Sequence, residues 1–364
     1  PRLHRPSRML ASALPVEGTT QAPVERNKGM KKKCVALISG GLDSTIAVKA
    51  ILDQGVEMVA LNFITPFCTC TSKSSGCSHQ ATKVAKEFDI EIKVIYKGLE
   101  YVEMIRNPKH GYGRNMNPCV DCRIFMHIEA KKLMEETGAS FVVTGEVLGQ
   151  RPMSQRLDTF RVIERDSGLE GLVVRPLSAC LLPPTIPELK GIIDRNSLLD
   201  ISGRSRKTQI SLAEEFGIID YPCASGGCLL TDAEFTRRLK DLFKNNGSYT
   251  LTDVKLLRIG RHFRIDESAK LILGRREEEN KELVALTGEK GYHIYIPVNF
   301  PGPTAVLTGD ITDSAEETVI KTMVKYSKLK EGYEAEIDYL CGGTLKKKLK
   351  VVKGLEGDPP LLKI

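Results

Sequence analysis

From Met30 onward, short β-branched and apolar runs alternate with stretches whose apolar residues recur every three or four positions. The runs predict strands at 34–38, 58–63, 90–95, 140–144 and 172–175, and the spaced stretches predict helices at 44–54, 79–88 and 119–137. Strands this continuously apolar are buried on both faces, as in a parallel sheet covered by helices. The expected fold is therefore α/β, a doubly wound parallel sheet, and its ligands belong at the carboxyl ends of the strands. After Pro183-Pro184 two further helices are expected, at 188–194 and 208–216, then a Gly-rich loop at 221–230 and a helix at 233–244. Asn245-Asn246-Gly247 reads as a boundary, beyond which the elements shorten into an α+β pattern with strands at 292–298 and 333–340.

Composition refines this picture only in part. At 364 residues the chain exceeds one ordinary core. We expect one domain over 30–247 and a smaller α+β domain over 250–364. Residues 1–29 lack periodicity and an apolar secretory core, and read as a disordered extension, a vector remnant or an upstream mis-start. No apolar run is long enough to span a membrane. The net charge of +7 suits a protein that meets a polyanion, although many metabolic enzymes carry as much. With no Trp and 6% aromatic residues, the chain is a poor candidate for reading single strands by base stacking. Ten cysteines without a secretory segment point to the reducing cytoplasm, where such residues serve metals or catalysis more often than disulfides.

The first chemical motif is Ser39-Gly40-Gly41-Leu42-Asp43-Ser44, between the first strand and the first helix. Two glycines allow a sharp turn that brings N–H groups to an anion, and Ser39 and Ser44 add hydroxyl donors. The following helix presents its positive end. Asp43 is unsuited to touching phosphate but suited to holding a bridging Mg2+. The plain alternative is a Gly-Gly turn with an Asp-Ser helix cap. The frame and lysine of a Walker loop are absent.

Strand, SGGLDS and helix in this order match the PP-loop of enzymes that cleave ATP between its α and β phosphates. With it come Asn117-Pro118-Cys119-Val120-Asp121-Cys122, Thr144-Gly145-Glu146, Gly149-Gln150 with Ser154-Gln155, Arg175-Pro176-Leu177 and Gly226-Gly227-Cys228-Leu229-Leu230-Thr231. On these segments the chain from Met30 to about Asp232 resembles the PP-loop tRNA thiolation enzymes, the 4-thiouridine synthetases and 2-thiouridylases. The resemblance implies a HUP-type, adenine nucleotide α-hydrolase-like fold and an ATP-dependent tRNA uridine sulfurtransferase, with ATP and Mg2+ as cofactors. It implies tRNA as partner, together with a sulfur donor, sulfide or a persulfide protein; a homodimer stands as an open expectation. Ser39, Gly40, Gly41, Asp43, Ser44, Phe63, Gly145, Glu146 and Gln150 form the expected nucleotide-binding set. The rival readings are a PP-loop synthetase acting on a small molecule, a non-catalytic RNA-binding protein and a sulfur- or metal-handling protein without an RNA target.

Sulfur must reach the activated base, and soft thiolates can present it. Cys119 and Cys122 have CxxC spacing, and the resemblance implies a third ligand far along the chain, so that a [4Fe-4S] cluster keeps one iron open. Cys228 is the expected third ligand because Gly226-Gly227 precedes it, with Cys223 as the alternative. Without a cluster, Cys119 or Cys122 would carry a persulfide and Cys228 would form the transient disulfide; structural zinc is the plain alternative. Cys68, Cys70 and Cys77, with His79 beside them, form an expected second site for metal. Cys34, Cys180 and Cys341 read as buried small hydrophobes. His110 and Arg114, and the cluster Arg204, Arg206 and Lys207, are candidates for RNA phosphate or simply solvated loops. The terminal region carries Arg258, Arg261, Arg264, Arg275 and Arg276, then Lys346-Lys347-Lys348 and Lys350. It is similar to the small RNA-binding domain of NFACT-type proteins. The chain shows no THUMP region and no rhodanese domain, so this terminal domain is expected to dock tRNA, and the cluster to replace the rhodanese relay.

Overall fold

The structure is a computed structural model that describes residues 31–68, 77–218, 221, 227–245, 247–288, 291–354 and 361–364, with backbone alone at 77 and 78. Residues 1–29 thus lie outside it, and the region Lys31–Ile364 clusters as one compact unit.

The first half runs β1 (Lys33–Leu37), α1 (Leu42–Leu52), β2 (Glu57–Ile64), α2 (Cys77–Glu87), β3 (Glu91–Tyr96), α3 (Leu99–Arg106), α4 (Cys119–Thr137), β4 (Phe141–Thr144), α5 (Leu157–Ser167) and β5 (Val173–Val174). All five strands are parallel, in the order β3-β2-β1-β4-β5. Successive side chains point to opposite faces, and both faces are covered. Cys34, Ala36, Met58, Ala60, Phe141 and Val143 pack with Ile46 and Ile51 of α1. Val35, Val59, Leu61 and Val142 pack with Ala130 and Leu133 of α4. This is the doubly wound α/β fold expected from the apolar runs.

Then follow α6 (Ile186–Leu189), α7 (Lys207–Glu215), α8 (Ala233–Asn245), α9 (Leu251–Leu256), β6 (Arg261–Arg264), β7 (Lys270–Leu273), α10 (Glu277–Thr287), β8 (His293–Pro297), β9 (Ala305–Thr308), α11 (Asp313–Lys325), β10 (Glu334–Cys341), β11 (Thr344–Val352) and β12 (Leu362–Lys363). The seven strands form an antiparallel sheet, β11-β10-β8-β9-β7-β6-β12. Leu271, Tyr295, Leu307 and Ile337 meet Val319 and Met323 of α11 on one face, and Ile272, Ile294 and Val306 meet Leu256 and Leu283 on the other. Among the described residues no helix is long and apolar enough to cross a membrane.

Three local expectations need correction. The helix expected at 188–194 is a single turn, α6, with a Thr185/Glu188 capping box, and it ends because the chain turns left-handed at Gly191 (φ +66°). Helices α3 and α5 were not anticipated, although Tyr101, Val102 and Ile105, and likewise Phe160 and Ile163, are buried at helical spacing. Cys180 is exposed on a 3-10 turn, not buried, and its thiol donates to Leu198 O at 3.3 Å.

Gly40 shows what the phosphate loop demands of the fold. Its φ is +72°, and a Cβ there would lie 2.5 Å from Ala81 N. Gly191 shares the left-handed backbone but has open space around it. Gly191→Ala should therefore cost about 1 kcal/mol and Gly40→Ala about 2–4 kcal/mol. Denaturant unfolding of the two variants checks the difference; equal losses would contradict this reading of the loop.

Candidate nucleotide and sulfur site

The chain leaves β1 at its carboxyl end and enters α1 through a self-braced turn. Ser39 N–H donates to Ser44 Oγ at 3.3 Å, Ser44 Oγ donates to Gly41 O at 2.8 Å, and Gly41 N–H donates to Ser39 Oγ at 3.3 Å. Gly145, at the end of β4, closes on this turn: a Cβ would lie 2.6 Å from Ser44 N. Glycine there lets two sheet-end loops meet at the positive end of α1. Asp43 sits in the first turn of α1. Its Oδ2 accepts from Arg206 Nη2 at 2.9 Å and from Gln150 Nε2 at 3.2 Å, while Oδ1 is buried without a hydrogen-bond partner. A carboxylate clamped on one oxygen and bare on the other suits a hard cation, so the donor chemistry fits Mg2+. Arg206, a candidate for RNA in the sequence, is thus turned inward onto Asp43.

Cys119 and Cys122 open α4, three residues apart and so on one helical face. Cys122 Sγ is contacted by Lys97 Nζ at 3.5 Å and by Tyr101 Oη at 3.0 Å. Lys97 is 5% exposed, and its ammonium lies 4.0, 5.2 and 5.6 Å from the ring centres of Tyr101, Phe63 and Phe125. Phe63 therefore belongs here to the wall around the cysteines. Burial pulls the Lys97 pKa down, with Cys122 opposing it. Burial also pushes the Cys122 thiol up, but Lys97, the Tyr101 hydroxyl and Arg123 outweigh it and hold the thiol below its usual value. Burial and then Cys122 push Cys119 up, and burial pushes Cys228 up to about 11. Of these three sulfurs, Cys122 is the one favoured as thiolate.

Cys228 arrives from far along the chain. Leu229 N–H donates to Phe67 O at 2.9 Å, Met116 N–H donates to Leu230 O at 3.1 Å, and Asn115 Nδ2 donates to Thr231 O at 2.7 Å. A backbone bridge pairs Cys68 with Cys228, and Phe67, Tyr101, Leu230 and Phe235 fill the core beneath. The structure thus brings Cys68 beside Cys228. Cys70 and Cys223 lie outside the described residues, as does the side chain of Cys77. Among the described residues no three His, Cys, Asp or Glu side chains converge as ligands on one ion.

Glu146, expected in the nucleotide-binding set, instead sits in a buried charge network with Arg123 and Arg175. Glu146 is 2% exposed, and its carboxylate lies 3.1 Å from Arg175 Nε and 3.4 Å from Arg123 Nε. Burial would raise its pKa, but Arg123 and then Arg175 hold it below the usual range. Arg175 is further held by Glu164 and stacks 3.8 Å from the Phe160 ring centre. His127, buried behind them, is pushed down to about 4, so its ring is neutral. It donates from Nδ1 to Arg123 O at 2.8 Å. Arg151 feels burial first, then Arg123, with Cys119, Arg206 and Asp43 also in its field.

His110 is pinned rather than free: its Nε2 lies 2.9 Å from Asp166 Oδ2, and Asp121 accepts from the Lys109 and His110 N–H groups. Lys109, then Arg165 and His110, hold Asp166 well below the usual carboxylate range. Arg114, Arg204 and Lys207 are exposed, as are Lys346, Lys347, Lys348 and Lys350 on β11. Arg264 and Arg275 instead make internal pairs with Asp241 and Glu279.

Residues 29–180 match the family model described as thiamine biosynthesis protein (ThiI), and residues 260–357 match the NFACT protein RNA binding domain. A probable tRNA sulfurtransferase of Thermococcus kodakarensis is 27% identical over 187 residues, covering 51% of this chain and 44% of that protein. One from Ureaplasma parvum serovar 3 is 32% identical over 155 residues, covering 42% and 38%. A tRNA-specific 2-thiouridylase MnmA of Leptospira interrogans is 26% identical over 112 residues, covering 28% and 30%. The chain thus spans less than half the length of these curated relatives. Among solved structures, a 4-thiouridine synthetase–RNA complex with bound ATP is 23% identical (TM-score 0.33), covering 51% of each chain. The U34-tRNA thiolase NcsA of Methanococcus maripaludis with its [4Fe-4S] cluster is 16% identical (TM-score 0.29), covering 65% and 73%.

The Lys97–Cys122 contact makes a direct prediction. Removing the ammonium in Lys97→Met leaves only the Tyr101 hydroxyl and Arg123 against burial, so the midpoint for alkylation of Cys122 by iodoacetamide moves to higher pH. An unchanged pH profile, with mass spectrometry assigning the adduct to Cys122, would contradict the pairing.

Proposed function

We propose that this chain, which matches the ThiI family model over residues 29–180 and the NFACT RNA-binding domain over residues 260–357, is an ATP-dependent tRNA sulfurtransferase. The observation that supports this reading is the run of contacts from Ser44 through Gly145 and Glu146 to Arg123, the residue after Cys122, which joins the nucleotide loop to the thiol group. Residues 30–247 supply the ATP-binding thiolation unit, and 250–364 the RNA-binding unit.

ATP lies with its phosphates on the turn from Ser39 to Ser44. Arg206 and Gln150 hold Asp43 Oδ2, so that Oδ1 is left for Mg2+. The uridine carbonyl oxygen attacks the α-phosphorus and pyrophosphate leaves, its charge met by the helix end and the nearby arginines. Sulfur then attacks the activated carbon, and AMP departs with the former carbonyl oxygen.

Cys119, Cys122 and Cys228 would hold the iron–sulfur group, which when bound supplies an open iron for the sulfur atom. Soft thiols beside a compensating ammonium fit that chemistry. The depressed Cys122 thiol favours a second carrier, a persulfide on Cys122. Its outer sulfur bonds to the base as AMP leaves. Cys119 or Cys228 then attacks Cys122 Sγ, breaking the S–S bond. The products are thiouridine and a protein disulfide, which a thiol reductant reopens.

Three measurements check the scheme. With tRNA present, ATP should yield AMP and pyrophosphate, and Asp43→Asn should slow this by about 10²–10³-fold; ADP and phosphate as products would sink the PP-loop reading. AMP formation indifferent to tRNA would instead support a small-molecule synthetase. Alanine at Cys119, Cys122 or Cys228 should abolish thiolation while ATP binding persists, and retained thiolation in all three single variants would sink the cysteine mechanism. Protein purified anaerobically should contain iron and acid-labile sulfide if the cluster carries the sulfur, or cyanide-reactive sulfur without iron if Cys122 does.

A further inference from the structure

Cys68 has no role in the reaction proposed so far, yet the fold sets it opposite Cys228. The two residues form an antiparallel bridge between the loop after β2 and the segment entering the 3-10 turn Leu229–Thr231. The hydrogen bonds around the bridge define its type. Leu229 N–H donates to Phe67 O at 2.9 Å, one position out on each side. Cys68 N–H donates to Thr65 O at 3.2 Å, and Cys228 O accepts from Thr231 N–H at 2.9 Å. The ladder bond thus flanks the pair, which is the non-hydrogen-bonded register. In that register the Cα atoms stand about 4.5 Å apart with both side chains on one face, within the roughly 4.4–6.8 Å that a disulfide spans.

Both residues are thiols here, and both are partly exposed, so a small reactant can reach them. Their backbones are held in place. Phe67 N–H donates to Thr65 Oγ1 at 3.2 Å, and the Thr231 hydroxyl donates to Cys228 O at 2.7 Å. Phe67, next to Cys68, and Leu230, two residues past Cys228, are buried in one apolar core. Closing a bond between side chains on two pinned backbones takes side-chain rotation alone. Cys122 packs against the same core as Cys228.

We propose that Cys68 is the resolving thiol of the sulfur site and closes a reversible disulfide with Cys228. Its place in the cycle rests on the persulfide scheme, with Cys228 as the attacking thiol; the disulfide itself does not. Attack of Cys228 on Cys122 Sγ frees thiouridine and leaves a Cys122–Cys228 disulfide. The Cys68 thiolate then attacks Cys228 Sγ. The Cys68–Cys228 bond forms, the Cys122–Cys228 bond breaks, and Cys122 leaves as thiolate, the Cys68 proton having passed to water. Oxidation state is conserved in this exchange. Cys122 is a good leaving group because Lys97 Nζ and Tyr101 Oη lie 3.5 and 3.0 Å from its sulfur. The exchange returns Cys122 to the form that accepts the next sulfur. The oxidised pair is left on two partly exposed residues, within reach of a dithiol reductant.

The pair is tested first without the reaction. Full chain, reduced and cleared of metal by chelation, is titrated with oxidised glutathione, which supplies the oxidation and leaves as reduced glutathione. The product is alkylated, digested without reductant and read by peptide mass spectrometry. The expected disulfide joins Cys68 to Cys228, is lost in Cys68→Ser and survives in Cys70→Ser. Cys228 joined to another cysteine, or no disulfide in a chain that circular dichroism shows to be folded, would overturn the proposal. A single turnover of persulfidated chain with ATP, Mg2+ and tRNA then tests the resolving role. Where thiouridine forms, Cys68–Cys228 should accumulate in the unmodified chain and Cys122–Cys228 in Cys68→Ser. Cys122–Cys228 in both would overturn that role. A Cys68–Cys228 disulfide with glutathione but no thiouridine would count against the sulfurtransferase reading and leave the pair standing.

Discussion

The ammonium of Lys97 and the sulfur of Cys122 constrain the site more than any other pair. Neither group is comfortable alone: burial drives Lys97 toward the neutral amine and Cys122 toward the neutral thiol. Together, with the Tyr101 hydroxyl on the sulfur and three aromatic rings around the ammonium, each supports the charge of the other. That pairing requires β3 to end beside the start of α4, and the parallel sheet supplies this by bringing strand ends and helix starts to one edge. Arg123, one residue past Cys122, then reaches from the thiols to Glu146, whose neighbour Gly145 packs against the loop at Ser44.

A thiolate of this kind is useful only beside an electrophile, which is why the loop matters. The turn at Gly40 and the close approach of Gly145 bring the first turn of α1 to the same sheet edge. Asp43 is braced there on one oxygen by Arg206 and is without a hydrogen-bond partner on the other. Positive charge from Arg123, Arg151 and Arg206 suits the departure of pyrophosphate and the anionic character of RNA alike.

The sequence was informative where function is carried by contiguous residues. SGGLDS and the cysteine pair are local patterns, and the near-continuous apolar strands announced a sheet buried on both faces. Lys97 was not singled out, and Arg175 and Arg206 were named without their partners, because tertiary contact alone defines their roles. Arg206 reaches Asp43 across 163 positions, and nothing around it in the chain separates it from Arg204 or Lys207. Cys68 was grouped with Cys70 and Cys77 by proximity in sequence, whereas its backbone pairs with Cys228. The short α6 shows the opposite failure, a helical pattern cut off by one left-handed glycine. In the second sheet the arginines looked alike in sequence, yet Arg264 is buried on Asp241 while the β11 lysines are exposed.

The most direct test of the account is nucleoside mass spectrometry of unmodified tRNA incubated with the chain, ATP, Mg2+ and sulfide under anaerobic conditions. The account predicts a uridine heavier by the exchange of oxygen for sulfur, formed only when ATP is present. Unaltered nucleosides, despite an intact protein that binds both ATP and the tRNA, would contradict it.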